Sequence, residues 1–156
     1  MRVGIATDHG GFELKEELAA YLREAGHEVV DLGAHKVNPG DDYPDFVIPL
    51  AQAVADGKVE RGVAVCGSGV GASVCANKIA GIRAGLVQDH YSAHQGVEHD
   101  DMNILCMGGR VVGPVVAREL VDAFLAARFT AEERHVRRLG KVAALEAALE
   151  ANVIHH

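Results

Sequence analysis

The sequence predicts an α/β fold in which five parallel strands are covered by helices on both faces and followed by a C-terminal helical tail. Three observations carry this. Short β-branched runs alternate strictly with stretches of helical length from the N-terminus to Ala127. The runs are apolar at nearly every position rather than at every second one, as strands buried on both faces require. The chain has 156 residues and 49% hydrophobic content, enough for the core of one domain and too short for two. The whole chain, 1–156, is therefore read as one domain.

Each element has a local reason. Val3–Thr7 is the first buried strand. Phe12–Ala25 follows as a helix with Phe12, Leu14, Leu18, Tyr21 and Leu22 on one face, and Gly26 closes it as the C′ residue. Glu28–Leu32 is the second strand. Gly33–Asp42 contains Pro39-Gly40 and is a loop. Tyr43–Ala55 is a helix that accepts Pro44 near its start. Gly62–Cys66 is the third strand, and the helix beyond its glycine turn runs to about Ile79. Arg83–Val87 is the fourth strand, Ser92–His99 a helix, Ile104–Met107 the fifth strand, and Pro114–Ala127 a helix with Pro at N1. From Thr130 the chain is rich in Ala, Glu, Leu and Arg, with Leu139, Val142, Leu145 and Leu149 near one helical face. This tail helix, over about 130–151, could pack on its own domain or on a second subunit. His155-His156 carry no assigned role.

Charge and cysteine content exclude several partners. The formal net charge is −7, from 22 acidic and 15 basic residues. Nucleic acid and anionic membrane both require a basic face. A bilayer span needs about 20 consecutive apolar residues, and the most apolar stretch, Val63–Ala76, is broken by Gly and Ser. Three cysteines, Cys66, Cys75 and Cys106, form no disulfide framework and suit a reducing, cytoplasmic setting.

In a parallel sheet of this kind ligands bind beyond the carboxyl ends of the strands. The informative residues are thus Asp8-His9, Gly67–Gly71, Asp89-His90 and Gly108–Arg110. The sharpest signal is Cys66-Gly67-Ser68-Gly69-Val70-Gly71, between a strand and a helix. Three close glycines let several N–H groups converge on one anion, such as a phosphate or a developing enediolate. A tight turn without a ligand would read the same way. The stretch also fits G-x-G-x-x-G/A, with Asp89 near the end of the next strand. That dinucleotide reading ranks lower, because this is the third βα turn and no substrate domain follows. No cofactor is expected.

Cys66 ends its strand at the mouth of the turn. A free thiol titrates near about 8.5, and a helix N-terminus lowers that value. It can act as base or nucleophile there, or be a buried structural cysteine, the role given to Cys75 and Cys106. His90 and His94 have i,i+4 spacing, which could hold a metal, but no tight Cys/His set accompanies them and no metal site is expected. His99 lies in a polar stretch just before strand five and is read as lying on the ligand side, where it could serve as an acid or base. Arg134 and Arg138, i,i+4, could fork a phosphate or be a solvated helix face paired with Glu132 and Glu133.

Taken in order, VGIATDHGGFELK, GHEVVDLG, DDYPDF, VAVCGSGVGASVCANKIAGIRA, YSAHQGVEHDDMN, GGRVVG and ERHVRR resemble the type B ribose-5-phosphate isomerases, a family that includes galactose- and allose-6-phosphate isomerases. The resemblance spans nearly the whole chain. It implies a Rossmann-like three-layer α/β/α fold, a phosphorylated sugar as substrate, no metal or cofactor, and a homodimer or homotetramer whose sites combine two subunits. It implies that Cys66 is the base, that Ser68 keeps the hydroxyl many relatives supply with Thr, and that Gly67, Gly69, Val70 and Gly71 form the anion nest. Some relatives use a glutamate where this chain has Ala72. His99 matches the residue that helps to open the sugar ring. Asp8, His9 and Tyr43 match sugar-side positions, and Asp100 and Asn103 fall in the same matching segment and are read as sugar contacts. Arg110, Arg134, His135 and Arg138 match phosphate contacts, the last three from a neighbouring subunit. Relatives commonly carry Asn where this chain has Asp100, and the loop Gly33–Asp42 also differs, so ribose, allose, galactose or a four-carbon ketose phosphate all stay open.

Overall fold

A computed structural model describes residues 1–154; His155 and His156 lie outside it. Its strands are β1 (Arg2–Thr7), β2 (Glu28–Asp31), β3 (Arg61–Cys66), β4 (Ala84–Leu86) and β5 (Ile104–Gly108). Its helices are α1 (Phe12–Glu24), α2 (Pro44–Ala55), α3 (Val70–Ala76), α4 (His90–Asp100), α5 (Pro114–Ala126) and α6 (Glu133–Ile154), with a short 3-10 turn at His9–Gly11. All strands are parallel, in the order β2-β1-β3-β5-β4.

Strand alternation divides the core. Val3, Ile5, Val63, Val65, Leu105 and Met107 face α1, α4 and α5. Ala6, Ala64, Cys66, Ile104 and Cys106 face α2 and α3. The second face is thin by design of its residues: a methyl group added at Gly4 would lie 2.7 Å from Leu50 Cδ1 of α2. That allows α2 to settle on the strands, and it puts the Cys66 side chain directly beneath the turn leading into α3.

Gly26 has φ +91° and its N–H bonds Arg23 O, while His27 N–H bonds Leu22 O, the C′ arrangement expected from the sequence. Helix α1 departs from its apolar reading at one position. Lys15 is fully buried, with Nζ 2.9 Å from Asp31 Oδ2 at the end of β2. Its partners make the burial tolerable; removing one member of such a pair costs about 3–5 kcal/mol. Helix α4 starts two residues earlier than its sequence pattern, because Asp89 caps it by accepting the Ser92 N–H at 2.7 Å. That bond also holds the Asp89 carboxyl below the usual carboxylate range. Helix α3 stops at Ala76, three residues short of expectation. The tail helix begins at Glu133 rather than near Thr130, whose N–H is instead bonded to Glu98 O of α4. No helix among the described residues is long and apolar enough to cross a membrane.

Candidate active site

The crevice of an open α/β sheet opens where connections leave neighbouring strands toward opposite faces. Here that place lies between β1, followed by α1, and β3, followed by α3. The turns after β1, β3 and β5 meet there. A Cβ added at Gly10 would be 2.8 Å from Gly67 N, and one at Gly109 would be 2.7 Å from Gly10 O. The β5 turn is also stitched to the β3 turn: Gly109 N–H donates to Cys66 O at 2.8 Å and Arg110 N–H to Gly67 O at 3.1 Å. Glycine is required because backbone occupies the space a side chain would need.

Within this cluster Cys66 is 4% exposed, and its Sγ accepts the Gly69 N–H at 3.1 Å. Gly69 has φ +84°, the left-handed conformation that turns the chain from this loop into α3. Ser68 Oγ is exposed and accepts the Val70 N–H at 3.2 Å. The Tyr43 ring lies on Gly71, where a Cβ would be 2.7 Å from the ring. The Arg110 guanidinium lies over Gly67 and shares with His9, Gly10, Val37 and Gly109 a cavity of about 290 Å³. Asp8 is buried, and its Oδ1 accepts the Gly10 N–H at 2.8 Å.

The other cysteines are differently placed. Burial pushes the Cys106 thiol far above its ordinary range, with Cys66 and Cys75 adding to the effect, and burial also raises Cys75. Both keep the structural role read from the sequence. Asp89, the candidate ribose ligand of the dinucleotide reading, is a helix cap. His90 and His94 belong to no group of three possible ligands among the described residues; their rings meet edge to face, and His94 Nδ1 is 2.7 Å from Glu98 Oε1. Among the described residues, Asp8, His9 and Asp41 are the side chains whose possible ligand atoms lie within 4.8 Å of one another. Within this group His9 Nδ1 is bonded to Asp41 Oδ1 and Asp8 Oδ1 to the Gly10 N–H.

A second group of expected site residues lies elsewhere. His99 does not sit on the ligand side with Cys66. Parallel strands share one direction, so residues just before a strand lie at its amino edge. In register, Gly62 pairs with Ile104 and Cys66 with Gly108, and Gly62 N–H bonds Asn103 O. Four residues of strand separate these edges by about 13 Å. At the amino edge the His99 ring stacks on His135 at 4.1 Å between centroids and 22° between planes, and its Nδ1 is 2.9 Å from Gln95 Nε2. His135 is 2% exposed. Loss of hydration lowers its basicity, and the neighbouring His99 lowers it further. Arg134 pairs with Glu132, while Arg138 and Asp100 are exposed.

Asn103, read from the sequence as a sugar contact, bonds within its own chain at the amino edge. Its Oδ1 accepts the Arg83 N–H at 2.8 Å and its Nδ2 donates to Gly81 O at 2.9 Å, so the amide braces the entry to β4. Sequence reasoning missed Asp41, which holds His9. The available signal was the doubled acid Asp41-Asp42 in a loop beside the sugar-side Tyr43.

The family description Ribose/Galactose Isomerase matches residues 3–142. Ribose-5-phosphate isomerase B of Escherichia coli is 43% identical over 145 residues, which is 93% of this chain and 96% of that protein. The structure of ribose-5-phosphate isomerase B from Clostridium thermocellum superposes with a TM-score of 0.92 at 45% identity, covering 96% of this chain and 99% of the other. The enzyme of the same name from Mycoplasma genitalium, with bound ribulose-5-phosphate, gives 0.89 at 37% identity, with 94% and 96% covered.

Proposed function

Because the chain belongs to the ribose/galactose isomerase family, and is thus a sugar-phosphate aldose–ketose isomerase, we propose that it interconverts ribose 5-phosphate and ribulose 5-phosphate with Cys66 as the proton-transfer base. The observation that carries the reading is the Cys66 sulfur set inside the glycine turn, 3.1 Å from the Gly69 nitrogen. The relative with bound ribulose-5-phosphate supports the choice of sugar.

The chemistry follows from the parts. Once the furanose is open, the Cys66 thiolate takes the proton from C2 of the aldose. The electron pair moves to the carbonyl, and the enediolate forms against Ser68 and the N–H groups of Gly67–Gly71. Donors fixed where charge develops stabilise the transition state without reorganising. The hydroxyl proton passes from O2 to O1 within the enediolate, the thiol returns its proton to C1, and the ketone is left at C2. Asp8 and Tyr43 border the sugar. The phosphate is remote from the reacting carbons, and its binding energy fixes their position.

We further propose that the site is completed by a second copy of the chain. His99, the ring-opening acid–base group, and the arginines Arg134 and Arg138 lie at the far edge from Cys66 in one copy. A homodimer, alone or within a tetramer, that brings one subunit's amino edge against its partner's carboxyl edge would supply both halves. In that arrangement His135 backs His99, and the two arginines rather than His135 meet phosphate. Three free cysteines, with no disulfide to protect, suit the cytoplasm.

The test is an isomerase assay over four- to six-carbon sugar phosphates, with and without chelator. Highest kcat/KM is expected for ribose 5-phosphate, unaffected by chelator. Preference for a six-carbon or four-carbon sugar phosphate would replace the substrate and keep the reaction class.

A further inference from the structure

We infer that Asp41 is a positioning residue that fixes the tautomer and ring plane of His9, and with them the anion-recognising side of the carboxyl edge. The inference deepens the isomerase reading and rests on it for the ligand's chemistry, a phosphate monoester.

Asp41 belongs to no helix or strand, yet its side chain is only 9% exposed. A buried loop carboxylate is costly without partners. Its partners come from a single residue: Oδ1 accepts the His9 backbone N–H at 3.0 Å and lies 2.6 Å from His9 Nδ1. Gripping both the main chain and the ring of one residue fixes the ring's orientation, which a simple loop tether has no need to do. The other oxygen, Oδ2, is buried without a partner, so His9 is the group this carboxylate serves.

The consequence is chemical. An ionised carboxylate only accepts, so the proton of the contact sits on Nδ1. Nε2 is then the ring atom left for a ligand, where it accepts the P–OH of a monoprotonated phosphate and, once it holds that proton, donates to the resulting dianion; His9 shares this cavity with Arg110. Asp8 does not compete for the ring, because its Oδ1 takes the Gly10 N–H. The loop is anchored to hold this arrangement. At its base Thr7 N–H bonds Gly33 O and Ala34 N–H bonds Thr7 O, both at 2.7 Å, and Asp31 Oδ1 takes the Gly33 N–H at 2.9 Å. Buried Lys15 secures Asp31 in turn. The loop therefore leaves the end of β1 beside Thr7 and returns to it at His9. Val37 of the same loop lines the cavity, so this loop shapes the space as well as the charge pattern.

The test uses the full chain and two readouts. Nitrogen-15 NMR of the unliganded protein at a pH where His9 is neutral should show the Nδ1–H tautomer, the less common form for a free imidazole. Asp41→Ala should return His9 to Nε2–H, and Asp41→Asn, which keeps an acceptor, should hold an intermediate balance. Titration with inorganic phosphate should show affinity reduced about ten- to hundredfold in Asp41→Ala, the scale of a hydrogen bond to a charged group. In a His9→Ala background the same change should add no further loss. An Nε2–H tautomer in the unaltered protein, or additive losses in the double variant, would overturn the inference. Neither readout depends on turnover, so absence of isomerase activity across the sugar panel would strike the functional reading alone. If Asp41→Ala does not fold, Asp41→Asn and the unaltered protein still decide the tautomer.

Discussion

At the carboxyl edge of the sheet the polar contacts are made mostly by backbone; at the amino edge they are made by side chains. The first edge is built from Gly10, Gly67, Gly69, Gly109 and the N–H groups between them, with turns packed so closely that no Cβ fits at Gly10, Gly69 or Gly109. The second is built from the ends of helices: His99 at the end of α4, and Arg134, His135 and Arg138 at the start of α6. Backbone donors are placed by the fold and cannot swing away, which suits holding an enediolate. Long side chains on helix ends can reach across a subunit boundary, which suits a phosphate brought by a partner's site. In the proposed pairing of subunits, one chain carries two unlike halves at opposite ends.

The largest test of this contrast is Cys66→Ala. Loss of a general base typically costs about 10²–10⁴-fold, and turnover and solvent exchange of the transferred proton should fall by at least that, with substrate binding kept. Cys75→Ala should be nearly silent. Near-normal turnover without the Cys66 thiol would remove the chemistry from the carboxyl edge.

A smaller effect separates the two edges physically. Each charge-assisted bond to phosphate contributes about 1.5–3 kcal/mol, so Arg134→Ala/Arg138→Ala should chiefly raise KM. Mixing that variant with Cys66→Ala, under conditions of subunit exchange, should restore activity approaching one working site per hybrid dimer. No recovery after proven exchange would mean that each copy builds its own phosphate pocket.

The smallest effect concerns pH. His135 is less basic in the folded chain than when unfolded, mainly through burial and then through His99. Such a group binds more protons when unfolded, so its contribution to stability is present when neutral. It is lost as pH falls below the ordinary imidazole range of about 6.5. Acidification should therefore loosen the start of α6, read as faster amide exchange there, while the glycine turns stay protected. His135→Phe, which keeps a ring against His99, should flatten this dependence.

Much of the carboxyl edge was legible in the sequence because its signals are local. Cys66 and its three glycines are consecutive with the strand that aims them, and the alternation of elements sets which edge a turn after a strand must occupy. The same rule, applied to residues before a strand, would have placed His99 and Asn103 at the amino edge. Lys15 could not be read as buried, since its partner Asp31 arrives from strand β2, 16 positions on. Asp41 and His9, 32 positions apart, likewise meet only because β1 ends beside the returning loop.

The alternating fold, the glycine turn and the cysteine within it follow from local sequence, since each depends on a few neighbouring residues and their backbone preferences. Tertiary structure alone decided which candidate residues share an edge, that His135 is buried against His99, and that Asp41 grips His9. Burial, stacking and charge pairing depend on distances in space between segments far apart in the chain, and local propensity carries no record of them.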